Sequence, residues 1–310
     1  MADKQATRQA YGDALVELGA NNKDLVVMDA DLSKSTMTVG FSKAFPDRFF
    51  NMGIAEQNMY GVAAGLAASG KTVVASTFAM FATGRAFEII RNSIGYPHLN
   101  VKICATHAGV TVGEDGASHQ AIEDIALMRS IPGMTVLNPS DGVSAKKAVE
   151  AAVAMDGPVY VRLGRAAVPF VYDEDMDFEI GKGLTVKEGS DVTIIATGIM
   201  VNEAIQAAEK LEAEGISARI IDIHTIKPID EEIIIKAAKE TKGIVTAEEH
   251  SVIGGLGSAV AEVTAKNAPA KIKMIGIQDR FGQSGKPDQL MKEYGLTADD
   301  IVAACKEILG

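Results

Sequence analysis

The 310 residues are 47% hydrophobic and 23% charged, with a net charge of −11 and no basic run, which describes a globular chain and argues against nucleic acid as its main partner. Two cysteines, Cys104 and Cys305, stand too far apart in sequence for a paired-cysteine metal motif and are too few for a disulfide framework, which fits a reducing compartment. No apolar run reaches the length of a membrane span, and Met1-Ala2-Asp3-Lys4-Gln5 has no apolar leader core, so a cytoplasmic protein is expected.

Arg8, Tyr11, Ala14, Leu15 and Leu18 recur at helical spacing, and Asn21-Asn22 ends that helix. A short strand, Leu25 to Asp29, runs into Ala30-Asp31-Leu32-Ser33-Lys34-Ser35-Thr36. A strand near Phe49-Phe50 precedes a helix from Ile54 to Ser69, and strand Thr72 to Ser76 precedes a helix from Ala79 to Ser93. Strand Val101 to Ala105 is followed by a long polar loop and a helix from Ile122 to Ser130. Strand Met134 to Leu137, helix Asp141 to Met155 and strand Val159 to Leu163 complete the series. This alternation predicts an α/β fold with a mostly parallel sheet covered on both faces.

The acidic stretch Tyr172 to Asp177 breaks the rhythm. We therefore expect a first domain over 1–172, a linker over 173–190 and a smaller α/β domain over 191–310. In the second part, runs at Val192 to Ala196, Ala218 to Ile223, Gly243 to Ala247 and Ile272 to Ile277 read as strands between helical segments.

Several residues fall where such a fold places ligands, beyond the carboxyl ends of its strands. Glu56 opens a Gly- and Ala-rich helix. Taken alone it is a first-turn acid favoured by the helix dipole, and only company would make it a catalytic carboxylate. The loop Thr106 to Gln120 holds His107, Asp115 and His119, whose spacing does not match a zinc site and suits acid–base work or polar substrate contact better. Phe78 and Phe81 stand at a strand–helix junction, where core packing and a stacking platform for a flat heterocycle are both open. Arg165 follows the last strand of the first domain, and with Arg8, Ser35 and His107 it could form an anion pocket. Dinucleotide, Walker and nucleophile-elbow signatures are absent. So is a Gly-Asp-Gly with a downstream Asn, the pattern of a diphosphate–magnesium site.

Gly53-Ile54-Ala55-Glu56-Gln57, Thr77-Phe78-Ala79-Met80-Phe81, Gly113-Glu114-Asp115-Gly116-Ala117-Ser118-His119-Gln120, Leu163-Gly164-Arg165 and Gly282-Gln283-Ser284-Gly285 together resemble the transketolase family. The likeness covers this whole chain but only the second half of a full-length transketolase. It implies a pyrimidine-binding domain of a thiamine diphosphate enzyme followed by a transketolase C-terminal domain. It also implies an N-terminal transketolase subunit as partner, which would hold the diphosphate through Mg2+, and a heterotetramer of two chains of each kind. The implied activity is transfer of a two-carbon ketol group between sugar phosphates, within carbohydrate metabolism of the pentose phosphate type.

The resemblance assigns Glu56 to the cofactor's aminopyrimidine. Protonating the ring nitrogen there favours the imino form, whose exocyclic nitrogen takes the proton from the thiazolium carbon. It assigns Phe78 and Phe81 to the ring face and, less directly, Asp31 to the cofactor's surroundings. Asp115 and His119 would bind donor hydroxyls near the carbonyl, with His119 counted as catalytic beside Glu56. Arg8, Ser35, His107 and Arg165 would bind the far phosphate. Gly84 stands where many members have Tyr, and Ala108-Gly109 replace a common Asp-Ser. Two related families compete: the beta subunit of a 2-oxoacid dehydrogenase's decarboxylating component, and 1-deoxyxylulose-5-phosphate synthase. A non-catalytic scaffold subunit is the reading from another class. The Gly113-Glu114-Asp115-Gly116 loop with His119 and the set Arg8, Ser35 and Arg165 stand against the dehydrogenase subunit, and the joint presence of Glu56, Asp115, His119 and Arg165 stands against the scaffold.

Overall fold

A computed structural model describes residues 4–310. The short runs Leu25–Asp29 and Val101–Ala105 are buried along their whole length, and Thr72–Ser76 nearly so. They form the middle of a seven-stranded sheet. Its order is Thr225–Lys227, Thr135–Leu137, Val159–Arg162, Val101–Ala105, Thr72–Ser76, Leu25–Asp29 and Phe49–Asn51. All pairs are parallel except at the Thr225–Lys227 edge.

Alternate residues feed opposite faces. Leu25, Val27, Val74 and Cys104 pack with Tyr11 and Leu15 of helix Thr7–Asn21 and with Ala145, Ala148 and Val149 of helix Gly142–Ala154. Val26, Met28, Val73, Ala75 and Ile103 pack with Met59, Tyr60 and Ala63 of helix Glu56–Ala68 and with Ala82, Ala86, Ile90 and Ile94. Cys104 is a packing residue, and burial pushes its thiol up to about 12.

Local chemistry fixes the helix ends. Asp141 caps helix Gly142–Ala154, its Oδ1 accepting from the Ser144 amide at 2.7 Å, while Ser144 Oγ accepts from the Asp141 amide at 3.0 Å. Such a capping box contributes about 1 kcal/mol. At the other end Lys102, buried in an otherwise apolar strand, donates its Nζ to Met155 O and Gly157 O at 2.7 Å each. Those bonds satisfy carbonyls just past the helix.

Two segments depart from the sequence reading. The stretch expected as one regular helix, Ala79 to Ser93, winds instead through π-helical turns at Phe81–Arg85 and Ile90–Gly95, with Phe87–Ile89 as α-helix between them. The Ala86 amide reaches Phe81 O, and the Tyr96 amide reaches Arg91 O. The buried positions Ala82, Ala86, Ile90 and Ile94 recur every fourth residue. A regular helix of 3.6 residues per turn would rotate that row off the sheet, and wider turns hold it in line.

Within the segment expected as linker, Leu184–Lys187 is a strand that pairs antiparallel with Ala218–Asp222. It is one edge of a five-stranded sheet ordered Ile272–Ile277, Ile244–Ser251, Val192–Ala196, Ala218–Asp222 and Leu184–Lys187. The halves also interlock. Thr225–Lys227 from the second half adds to the first sheet, and Lys227 Nζ donates to Arg129 O at 2.8 Å and Ile131 O at 2.5 Å. The first core cluster runs on into Ile221, Ile223, Ile234 and Leu256 without a seam. Among the described residues, no helix is long and apolar enough to cross a membrane.

Candidate active site

The chain leaves Leu25–Asp29 for Phe49–Asn51 on one side, then returns to Thr72–Ser76 on the other. That reversal opens a crevice at the carboxyl ends of the strands. Asp31 and Ser35 follow the first of these strands, Glu56 the second, and Phe78 and Phe81 the third. His107 follows Val101–Ala105, and Arg165 follows Val159–Arg162.

Glu56 is the first residue of its helix and only 3% exposed. The free amides and dipole of a helix start favour its carboxylate. Arg85 Nη1 lies 3.1 Å from Glu56 Oε1 and 3.2 Å from Oε2. The same guanidinium sits over the Phe81 ring, 4.9 Å from its centroid. Phe81 stacks near Phe78 at 5.9 Å and 17°, and Phe78 stacks on His107 at 3.9 Å. His119 meets Phe81 edge-on at 5.3 Å. A buried carboxylate, two flat apolar faces and two imidazoles thus share one wall.

The cationic residues gather beside it. Arg8 Nη1 donates to Ser35 O at 2.6 Å. Burial, and then the charge of Arg165, lower the Arg8 pKa. Burial, followed by the charges of Arg8, Arg165 and His119, pushes the His107 imidazole down to about 3. His107 is therefore neutral near pH 7, and the positive potential of the pocket comes from the two arginines. Arg165 Nη1 donates to Val112 O and lies 3.3 Å from Glu114. Asp115 is exposed beside it.

The loop carrying these groups is held from the second half of the chain. The Thr111 amide donates to Glu249 Oε1 at 2.6 Å. Gly109, at φ 81°, lies so close to Glu249 that a Cβ there would fall 2.2 Å from its Cδ. Glu249 thus fills the space beside Gly109 that any Cβ there would need. Gln120 Nε2 donates to Val110 O, Gly113 O and Gln283 O, bridging the loop to the Gly282–Gly285 turn. Burial raises the Glu249 carboxyl to about 7.

Behind the loop, Arg162 Nε lies 2.7 Å from Asp124 Oδ2, and its Nη2 donates to Glu249 O at 2.9 Å. His250 Nδ1 lies 2.6 Å from Ser251 O and its Nε2 accepts from the Ala126 amide, so its ring is a neutral tautomer used in packing. Burial keeps it there, lowering its pKa to about 4.

Glu56, Phe78, Phe81, His107 and His119 therefore share one wall, with Arg8, Ser35 and Arg165 as one neighbouring group. Asp31 stands at the mouth in a left-handed conformation, φ 64°, bonded to the Asn51 side chain and not to the aromatic wall. Sequence reasoning missed Arg85 and Glu249. Arg85 carried a signal: it stands four residues after Phe81 on a helical segment, the spacing that stacks one side chain over another.

A family model described as "Transketolase, pyrimidine binding domain" matches residues 3–171, and one described as "Transketolase, C-terminal domain" matches residues 181–301. A "Putative transketolase C-terminal section" from Methanocaldococcus jannaschii is 56% identical over 303 residues, covering 97% of this chain and 95% of that one. The "6-deoxy-6-sulfo-D-fructose transketolase subunit SqwH" of a Clostridium species is 44% identical over 301 residues, covering 97% and 94%. A solved structure described as "Split gene transketolase, inactive beta4 tetramer" is 58% identical, superposes with a TM-score of 0.91 and covers 99% of each chain.

Proposed function

Because the chain belongs to the transketolase family, we propose that it is the carboxyl-terminal subunit of a split transketolase and supplies half of a thiamine diphosphate site. The observation that carries this reading is the buried Glu56 carboxylate at a helix start, facing the Phe81 ring across a flat cation. An acceptor and an apolar face in that relation fit an aminopyrimidine. Among the described residues, no three His, Cys, Asp or Glu side chains are grouped to hold a metal ion. We assign Mg2+ and the diphosphate to an N-terminal partner subunit, in a heterotetramer. The solved relative's description as an inactive beta4 tetramer supports a chain that needs such a partner.

When bound, thiamine diphosphate supplies a nucleophilic carbon and an electron sink for cleaving and remaking a ketol bond. Glu56 holds a proton at the ring nitrogen, and positioned proton transfer of this kind contributes about 10²–10⁴-fold. Phe78 and Phe81 fix the plane of the ring. His119 and Asp115 orient donor hydroxyls, with His119 able to move a proton at the reacting oxygen. Arg8 and Arg165, with Ser35 and neutral His107 as hydrogen-bonding neighbours, bind the terminal anion of the sugar. A phosphate suits that pocket, and so does the sulfonate implied by the name of the Clostridium relative. Asp31 lines the entrance. Two buried free cysteines fit a cytoplasmic setting.

The test is reconstitution with the N-terminal partner, thiamine diphosphate and Mg2+. Ketol transfer between sugar phosphates is expected, with Glu56→Gln lowering kcat by about 10²–10⁴-fold. Turnover by this chain alone, or carbon dioxide release from pyruvate in place of ketol transfer, overturns the reading.

A further inference from the structure

Arg85 makes, in the chain alone, both contacts that the proposed aminopyrimidine requires. Its Nη1 faces both Glu56 oxygens at 3.1 and 3.2 Å, and its guanidinium carbon lies 4.9 Å from the Phe81 ring centroid. A guanidinium and a protonated aminopyrimidine are both flat cations that offer N–H to a carboxylate and a face to a phenyl ring. One carboxylate and one ring face, at these distances, do not serve both at once.

We propose that Arg85 is a placeholder for the cofactor's ring: it neutralises Glu56 until the ring arrives and is then displaced. The inference rests on the function proposed above. Three features support it. Glu56 is 3% exposed, and a bare charge at that depth is disfavoured even at a helix start, so a weakly held partner helps before assembly. Arg85 is 52% exposed, and among the described residues its guanidinium has no hydrogen-bond acceptor besides Glu56, so it is free to swing into water. The guanidinium on the carboxylate also covers the Phe81 face that the ring would need, 4.9 Å from its centroid. Arg85 is accordingly a positioning residue. Its effect passes through Glu56 and lowers cofactor affinity by the amount needed to break the pair.

The experiment is calorimetric titration of thiamine diphosphate, with Mg2+ present, into the complex of this chain with its N-terminal partner. Arg85→Met is expected to tighten binding about three- to fivefold, the change given by no longer having to break a half-exposed ion pair. Arg85→Lys, which can still pair, should stay nearer to the wild-type chain. In a Glu56→Gln background the Arg85→Met effect should vanish, which a general loosening of the segment would not produce. Weaker or unchanged binding by Arg85→Met overturns the proposal, and so does an effect that persists in Glu56→Gln. Should Arg85→Met impair assembly, Arg85→Gln replaces it with the same expectation. Failure of the wild-type complex to bind the cofactor refutes the proposed function instead, so the two failures are distinguishable.

Discussion

Asp124–Arg162 and Glu56–Arg85 are both carboxylate–guanidinium pairs, yet water reaches only the second. Asp124 and Arg162 are 0% and 4% exposed. Arg162 meets both carboxylate oxygens, at 2.7 and 3.2 Å, and its remaining reach goes to Ala121 O and Glu249 O. Tyr160 Oη donates to the same carboxylate at 2.6 Å. Burial works to raise the Asp124 pKa, yet the Arg162 charge leaves it below its usual range. Glu56 is equally deep, but Arg85 touches it through one nitrogen from a side chain that is half in solvent. A pair with both carboxylate oxygens bonded in a nearly dry interior is fixed, since removing either member strands a charge. A pair with one member in water can exchange that member for a ligand.

The strongest way to break this contrast is Arg162→Met. It strands Asp124 in the interior and should cost about 3–5 kcal/mol, read as a lowered urea midpoint of the purified chain. Gly109→Ala asks whether the loop in front of that pair is held as tightly. Its φ of 81° and the 2.2 Å approach to Glu249 lead us to expect a loss of about 2–4 kcal/mol, seen as a lowered melting temperature.

Glu249→Gln sharpens the comparison through pH. The folded chain keeps the Glu249 proton up to about 7, where the unfolded chain releases it near 4.5. Stability is therefore fully present below about pH 4.5 and is lost as pH rises toward 7. The substitution, which mimics the protonated acid, should remove that loss on raising pH, about 1–3 kcal/mol, and leave the similar loss from Glu248, also raised to about 7 by burial. Melting temperatures of both chains across pH 4–8 test this. The smallest effect belongs to the exposed pair: Arg85→Met should destabilise the isolated chain by no more than about 1 kcal/mol, because the helix start still faces Glu56. A loss as large as that of Arg162→Met would erase the distinction between the pairs.

The strands were legible because β-branched runs such as Leu25 to Met28 and Thr72 to Ala75 are buried on both faces and carry no competing pattern. The site wall was legible as motif segments at strand ends. Three things were not. The π-helical path of residues 81–95 hides in a hydrophobic row with spacing four, which a regular helix also tolerates over short lengths. Arg85 reads as a solvent-facing cation until the distance to Glu56 is known. Glu249 acts on Thr111 from 138 residues away, through a three-dimensional neighbourhood that no local spacing encodes. The edge strand Thr225–Lys227 is too short to stand out.

That edge strand bears on how the chain comes apart. Without it the first sheet would end at Thr135–Leu137 with a bare row of amides and carbonyls, a template for joining other chains. The second half therefore acts as a lid on an adhesive edge. A protease cutting the irregular stretch 173–183 should nick the molecule without releasing two bodies. The fragments should co-migrate on a sizing column until denaturant parts them, and the amino-terminal fragment, once alone, should aggregate.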